Sequence, residues 1–238
     1  MDTIISQIKA PTDDNLSFLV PFDFANALDI SERNLPHWQQ EKVTYFITFR
    51  LADSLPQEKL KQLKAEQENW LRHHNEPYSN EEIVEYNILF NEKIQSWLDA
   101  GHGSCILKDS LVSKIVEDAL IYFNGTRYLL HEWVVMPNHL HILLTPINDF
   151  SLVKIMHSLK SYTANKINKS VGRSGKLWKD ESYDHIVRNL KQFNAISKYI
   201  IMNPVKARPK TGFRSSSKEE GNEIQRHRQD ACATLLRK

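Results

Sequence analysis

Cysteine is nearly missing from this chain of 238 residues, and the two it has, Cys105 and Cys232, are far apart and in no ligand spacing. That excludes a disulfide framework and a thiolate zinc site and leaves reduced thiols as the expectation. Long apolar runs are missing too. The longest, from Val134 to Leu144, is broken by Asn138, His139 and His141, so no membrane span is expected. The N-terminus lacks a basic start followed by an apolar core, which makes a cytoplasmic protein the default. No internal repeat is evident. What is present is an ordinary globular composition, 41% apolar and 25% charged, in a length that suits one substantial core with room for insertions. The net charge of +2 conceals an asymmetry. Lys154 to Arg214 carries fourteen Lys and Arg against three acids, about +11, whereas residues 1 to 153 sum to about −10. Clustered cations attract phosphate backbones and release counterions on binding, so nucleic acid is the leading partner class.

The pattern of apolar residues predicts an order of elements. Residues 1–35 show no sustained period and read as an N-terminal arm. The run from Lys42 to Leu51 alternates and is rich in β-branched and aromatic residues, which predicts a strand. Two capping-box patterns follow, Ser54 with Gln57 and Ser79 with Glu82, each opening a helix. Together they mark an acidic helical insertion, about 54–100, ahead of a helix over Leu107 to Phe123 with Leu111, Ile115, Ala119 and Ile121 to Tyr122 on its stripe. Strands are expected over Arg127 to Met136 and His139 to Thr145, then a basic helix from Leu152 to Lys169. A loop at Gly172 to Lys176, a strand at Ser182 to Arg188 and a helix from Lys191 that Pro204 ends complete the pass. The polar tail, 211–238, is expected to be poorly ordered. About four strands and two principal crossing helices predict an α+β sandwich with helices on one face of the sheet.

Within this order, His139 and His141 are two apart on a strand, so their imidazoles share one face while Leu140 and Ile142 take the other. A histidine pair on a strand is more often a packing feature than a ligand set, but the context changes the reading. Tyr199 and Asn203 are four apart on a helix and so lie side by side. Neutral imidazoles ligate divalent metals, and an amide oxygen adds a hard donor suited to Mg²⁺ or Mn²⁺. A phenol, with its ordinary pKa of about 10, needs a nearby cation to act as a nucleophile. With one it can attack a phosphodiester covalently, and the aryl phosphate formed keeps the energy of the broken bond for a later rejoining. Tyr162, on the basic helix, is a weaker rival because Lys166 stands where the amide would be.

At three strings, WVVMPNHLHILL, KLWKDESYDHIVRN and YIIMNPVKA, the chain resembles the HUH single-tyrosine transposases, especially the REP-associated tyrosine transposases. The likeness spans roughly residues 36–210. It implies a ferredoxin-like or RRM-like antiparallel sheet acting on single-stranded DNA that carries palindromic or hairpin repeats. It further implies Mg²⁺- or Mn²⁺-dependent cleavage through a 5′-phosphotyrosine link, with Tyr199 as nucleophile and His139, His141 and Asn203 as metal ligands. On this reading Lys154, Lys160, Lys166, Arg173, Lys176 and Lys179 track the DNA backbone, while Trp178 and Tyr183 are candidates for base stacking or for the core. His185 matches a histidine of the second string and is equally readable as packing. Both monomer and homodimer stay open, and the protein would be nucleoid-associated when bound to DNA. Two other readings compete: a domesticated, non-catalytic binder of structured nucleic acid, and a metal hydrolase that uses water instead of the tyrosine.

Overall fold

The computed structural model describes residues 29–32, 36–39, 42–75, 78–207 and 214–216. Strands β1 (Asp29–Glu32) and β2 (Pro36–Gln39) pair antiparallel, so the expected arm ends in a hairpin that no period announces. Its remaining residues, Cys232 and nearly all of the polar tail lie outside the described residues. Strand β3 (Tyr45–Arg50) is followed by helices α1 (Gln57–His73), α2 (Asn80–Tyr86) and α3 (Lys93–Asp99), with a π-helical stretch over Asn87–Glu92 joining the last two. Then come α4 (Ser110–Tyr122), β4 (Tyr128–Val135), β5 (His139–Pro146), α5 (Leu152–Ser170), β6 (Tyr183–Ile186), α6 (Leu190–Ala207) and β7 (Arg214–Ser215).

One antiparallel sheet runs β6-β3-β5-β4-β7. Its four main strands have the order of a split βαβ unit, the ferredoxin-like arrangement, with β7 added at the β4 edge. Among the described residues no helix is long and apolar enough to cross a membrane. The α+β expectation holds, with two differences in detail. The sheet has five strands, and it is covered on both faces rather than one. Tyr45, Ile47, Phe49, Leu140, Ile142 and Leu144 meet α4 and α5 in the main core. On the other face Val134, Met136 and Leu143 meet Val187, Phe193 and Ile200, so α6 docks there. The physical reason is that β4 and β5 present apolar side chains on both faces, and an apolar patch must be covered on each.

Several local expectations also shift. Ser79 and Glu82 form their reciprocal cap, with Ser79 N donating to Glu82 Oε2 at 2.7 Å and Glu82 N to Ser79 Oγ at 3.2 Å. Ser54 caps nothing: its hydroxyl donates to the Leu51 carbonyl at 2.8 Å and accepts from Arg50 at 3.0 Å, and α1 begins after Pro56. Asp109 caps α4 instead, accepting from Leu111 N and Val112 N. The buried stripe of α4 is therefore Val112, Val116, Ala119 and Leu120, with Leu111 and Tyr122 each 77% exposed. Pro204 does not end α6 but lies inside it; the missing N–H removes one bond of the ladder and the helix runs on for less than a turn.

Candidate active site

The site lies on the sheet face that α6 covers, and strand register builds it. His141 is opposite Thr48 and His139 opposite Arg50 across the β3–β5 pair. Both imidazoles are fully buried, yet each is oriented by a polar neighbour. His139 Nδ1 lies 2.8 Å from Asn138 Oδ1, and the Asn138 amide is itself fixed because its Nδ2 donates to the His102 carbonyl at 3.0 Å. The oxygen so presented must accept, so His139 donates from Nδ1 and leaves Nε2 bare. Thr48 Oγ1 lies 2.7 Å from His141 Nδ1 and orients the second ring, and Gln95 Nε2, an amide donor 3.2 Å from His141 Nε2, suits the same tautomer there. Burial pushes the His139 pKa down to about 3 and that of His141 well below its ordinary value, with the neighbouring His139 adding to the latter. Both are neutral at pH 7, the form that ligates a metal.

Helix α6 brings the other half. Tyr199 Oη lies 3.4 Å from His141 Nε2 although 58 residues separate them in the chain. The rings of Phe46, His141 and Tyr199 pack together: Phe46 stacks on His141 at 5.5 Å between centroids and meets Tyr199 edge-on at 6.0 Å. Desolvation, and then the Asp99 carboxylate, raise the Tyr199 pKa above its ordinary value, while the Asn203 side chain pulls weakly the other way. Asn203 is 1% exposed, and its Oδ1 has no hydrogen-bond donor among the described residues. A buried, orphaned acceptor costs free energy of order 1–3 kcal/mol, so such an atom calls for a partner. Two bare imidazole nitrogens and that oxygen suit a divalent cation in both chemistry and protonation. Among the described residues no three of His, Cys, Asp and Glu cluster closely enough to hold an ion as they stand.

Several residues here escape a sequence reading. Thr48, Asn138 and Arg50 surround the histidines through cross-strand register and a local turn, and only Asn138, adjacent in sequence, offered a signal. Gln95 and Asp99 reach the same spot from α3: Gln95 Nε2 lies 3.2 Å from His141 Nε2 and 3.4 Å from His139 Nε2. Their spacing of four was a helical signal, masked by the apolar stripe beside it.

The basic residues of α5 lie on the other side of the sheet from the tyrosine. Helix α5, which carries Lys154, Lys160 and Lys166, packs through Ile155, Leu159 and Ile167 on the opposite face of the sheet. Lys154, Lys166, Arg173 and Lys176 are exposed and Lys179 is half-buried. The Lys160 ammonium donates to the carbonyls of Lys179 at 3.1 Å and Asp180 at 3.0 Å and sits over the Phe49 ring, contacts that tie α5 to the loop before β6. Lys176 pairs with Asp180. Trp178 is a core residue, 4% exposed, edge-on to Phe49 at 4.9 Å and donating to Thr163 Oγ1 at 2.9 Å. Tyr183 meets Phe46 edge-on at 6.4 Å, and His185 is held 2.6 Å from Gln192 Nε2. Tyr162 is 54% exposed on α5, in the layer that the histidines face away from.

Residues 106–203 match the model of the family described as "Transposase IS200 like". The matched stretch contains His139, His141, Tyr199 and Asn203, and omits β3 and the insertion. No curated protein matches the chain significantly. Among solved structures the chain is similar to one described as a REP-associated tyrosine transposase bound to a REP hairpin. The identity is 18% and the TM-score 0.42, with 74% of each chain covered.

Proposed function

We propose that the IS200-like transposase domain formed by residues 106–203 is, together with β3, a metal-dependent DNA strand transferase. It cleaves single-stranded DNA bearing hairpin repeats and holds the cut end on Tyr199. The observation that carries this reading is the approach of the Tyr199 hydroxyl to 3.4 Å from His141 Nε2, with the orphaned Asn203 oxygen one turn further along the same helix.

The chemistry asked of the chain follows from its groups. Tyr199 Oη attacks phosphorus in line with the 3′ oxygen, the phosphorus–oxygen bond to that oxygen breaks, and the phenol loses a proton as the departing 3′ hydroxyl gains one. The product is a 5′-phosphotyrosine, from which a different 3′ hydroxyl can later take the strand. His139, His141 and Asn203 would hold a Mg²⁺ or Mn²⁺ ion, which would supply positive charge to favour phenolate and to stabilise the developing oxyanion. Asn138 and Thr48 keep the two imidazoles in the tautomer and orientation that such binding needs. Phe46 and the apolar contacts of α6 hold the phenol in place and keep water from it. Lys154, Lys166, Arg173, Lys176 and Lys179 hold backbone beyond the cut, away from the reacting phosphate.

The test is a covalent adduct. Hairpin-bearing single-stranded DNA with Mn²⁺ should give a protein–DNA species that survives denaturing electrophoresis, and EDTA or Tyr199→Phe should remove it. Hairpin binding with no adduct across a panel of sequences would make the chain a non-catalytic binder; turnover retained in Tyr199→Phe would make water the nucleophile.

A further inference from the structure

Three acceptors converge on one atom in this site. Gln95 Nε2 lies 3.2 Å from His141 Nε2, 3.4 Å from His139 Nε2 and 3.2 Å from Asp99 Oδ1, but an amide nitrogen carries only two protons. Asp99 Oδ1 also stands 3.8 Å from His139 Nε2, with its side chain 27% exposed. So two bare imidazole nitrogens and a carboxylate oxygen surround a point held by the positive end of an amide dipole. Around one six-coordinate ion with bonds of about 2.1 Å, neighbouring donors sit about 3 Å apart and opposite ones about 4.2 Å. The separation of Asp99 Oδ1 from His139 Nε2, 3.8 Å, lies within that span, while the 3.2–3.4 Å from Gln95 Nε2 to the three acceptors are hydrogen-bond lengths that must shorten once an ion replaces the amide.

We infer that Asp99, from the helical insertion, is a ligand of the same metal centre, and that Gln95 occupies the cation's position until an ion displaces it. The inference rests on reading His139, His141 and Asn203 as that centre, and it adds what the set lacks. Two imidazoles and an amide are all neutral, whereas Mg²⁺ and Mn²⁺ are hard cations that favour carboxylate oxygen. Asp99 supplies one negative charge and one hard donor on a helix outside the residues matched by the transposase family. Loading needs only local motion. Gln95 and Asp99 lie one turn apart on α3, so rotation of the Gln95 amide away from the histidines leaves Asp99 to close the remaining gap. An amide N–H cannot stay pointed at a cation. The insertion is thereby more than a decoration of the first crossover: the centre draws donors from β5, α6 and α3.

The test reads metal binding in the full chain without DNA, by titration of Mn²⁺ followed by electron paramagnetic resonance. Wild type should bind one ion, His141→Ala should abolish binding, and Asp99→Asn, which keeps the shape and the contact with Gln95, should weaken it about tenfold to a hundredfold. Gln95→Ala should leave binding equal or tighter. Direct ligation is separated from a distant charge effect by Asp99→Cys with Cd²⁺ in a Cys105→Ser, Cys232→Ser background, which should produce a thiolate-to-metal ultraviolet band that the same background without Asp99→Cys lacks, since soft ions seek thiolate. Unchanged Mn²⁺ affinity in Asp99→Asn, with His141→Ala defective, would overturn this inference and leave the histidine centre standing. Wild type and His141→Ala binding alike would overturn both.

Discussion

A neutral imidazole and an unpartnered amide oxygen are costly things to bury, and this protein buries two of the first and one of the second together. Asn203 Oδ1 lacks a donor among the described residues, so Asn203→Leu, of similar volume, removes an unsatisfied group. Urea unfolding of the metal-free variant should give a stability within about 1 kcal/mol of wild type or above it, while Mn²⁺ affinity falls. His139 and His141 have folded pKa values below that of an unfolded histidine, so the unfolded chain binds more protons on acidification. The sign follows: stability in EDTA is full above about pH 6.5 and declines below it, at up to about 1.4 kcal/mol per pH unit for each histidine. Urea midpoints at pH 7.5, 6 and 5 should fall in that order, and midpoints that rise would show the imidazoles to be charged when folded. The histidine pair was legible because a period of two fixes two side chains on one face whatever the rest of the fold does. Thr48 was not, because register across strands is set by packing.

Elements were legible where one face of a segment is plainly apolar, and misread where a local signal competed with tertiary contacts. Ser54 has the spacing of a helix cap but is recruited by Arg50 and the Leu51 carbonyl. The buried stripe of α4 is Val112, Val116, Ala119 and Leu120, not one that includes Leu111, because packing against the sheet decides which side of the helix turns inward. That α6 crosses the face opposite α5 could not be read from amphipathicity, which says that a helix has a buried side but not which layer buries it. Strand β7 is the clearest case of a tertiary decision. Arg214 donates to Glu117 Oε2 at 2.7 Å and to Ser113 Oγ at 3.1 Å, and Glu117 is only 3% exposed. Arg214→Met leaves that carboxylate with Lys114 at 3.6 Å and should cost about 2–3 kcal/mol in chemical denaturation. Adding Glu117→Met should recover most of the loss; a double variant no better than the single one would show that the pair is not the source.

At the scale of the molecule, a ferredoxin-like sheet divides the work between two faces. One carries the histidines, over which α6 and Gln95 of α3 close. The other carries the basic helix α5 with its exposed cations. The charge asymmetry was readable from composition, but its placement was not, because net charge carries no information about layers. Lys154, Lys166, Arg173, Lys176 and Lys179 should give hairpin binding a log–log salt slope of about −4 in fluorescence anisotropy between 50 and 200 mM KCl. A slope near zero would remove them from the interface. The central claim is that Tyr199 forms the covalent bond to DNA. Its most direct measurement is mass spectrometry of the protein after reaction with hairpin DNA and Mn²⁺ and digestion by nuclease. The expected result is a nucleotide remnant on the tryptic peptide at Tyr199; a remnant on Tyr162, or none anywhere on a chain that has cut its DNA, would contradict it.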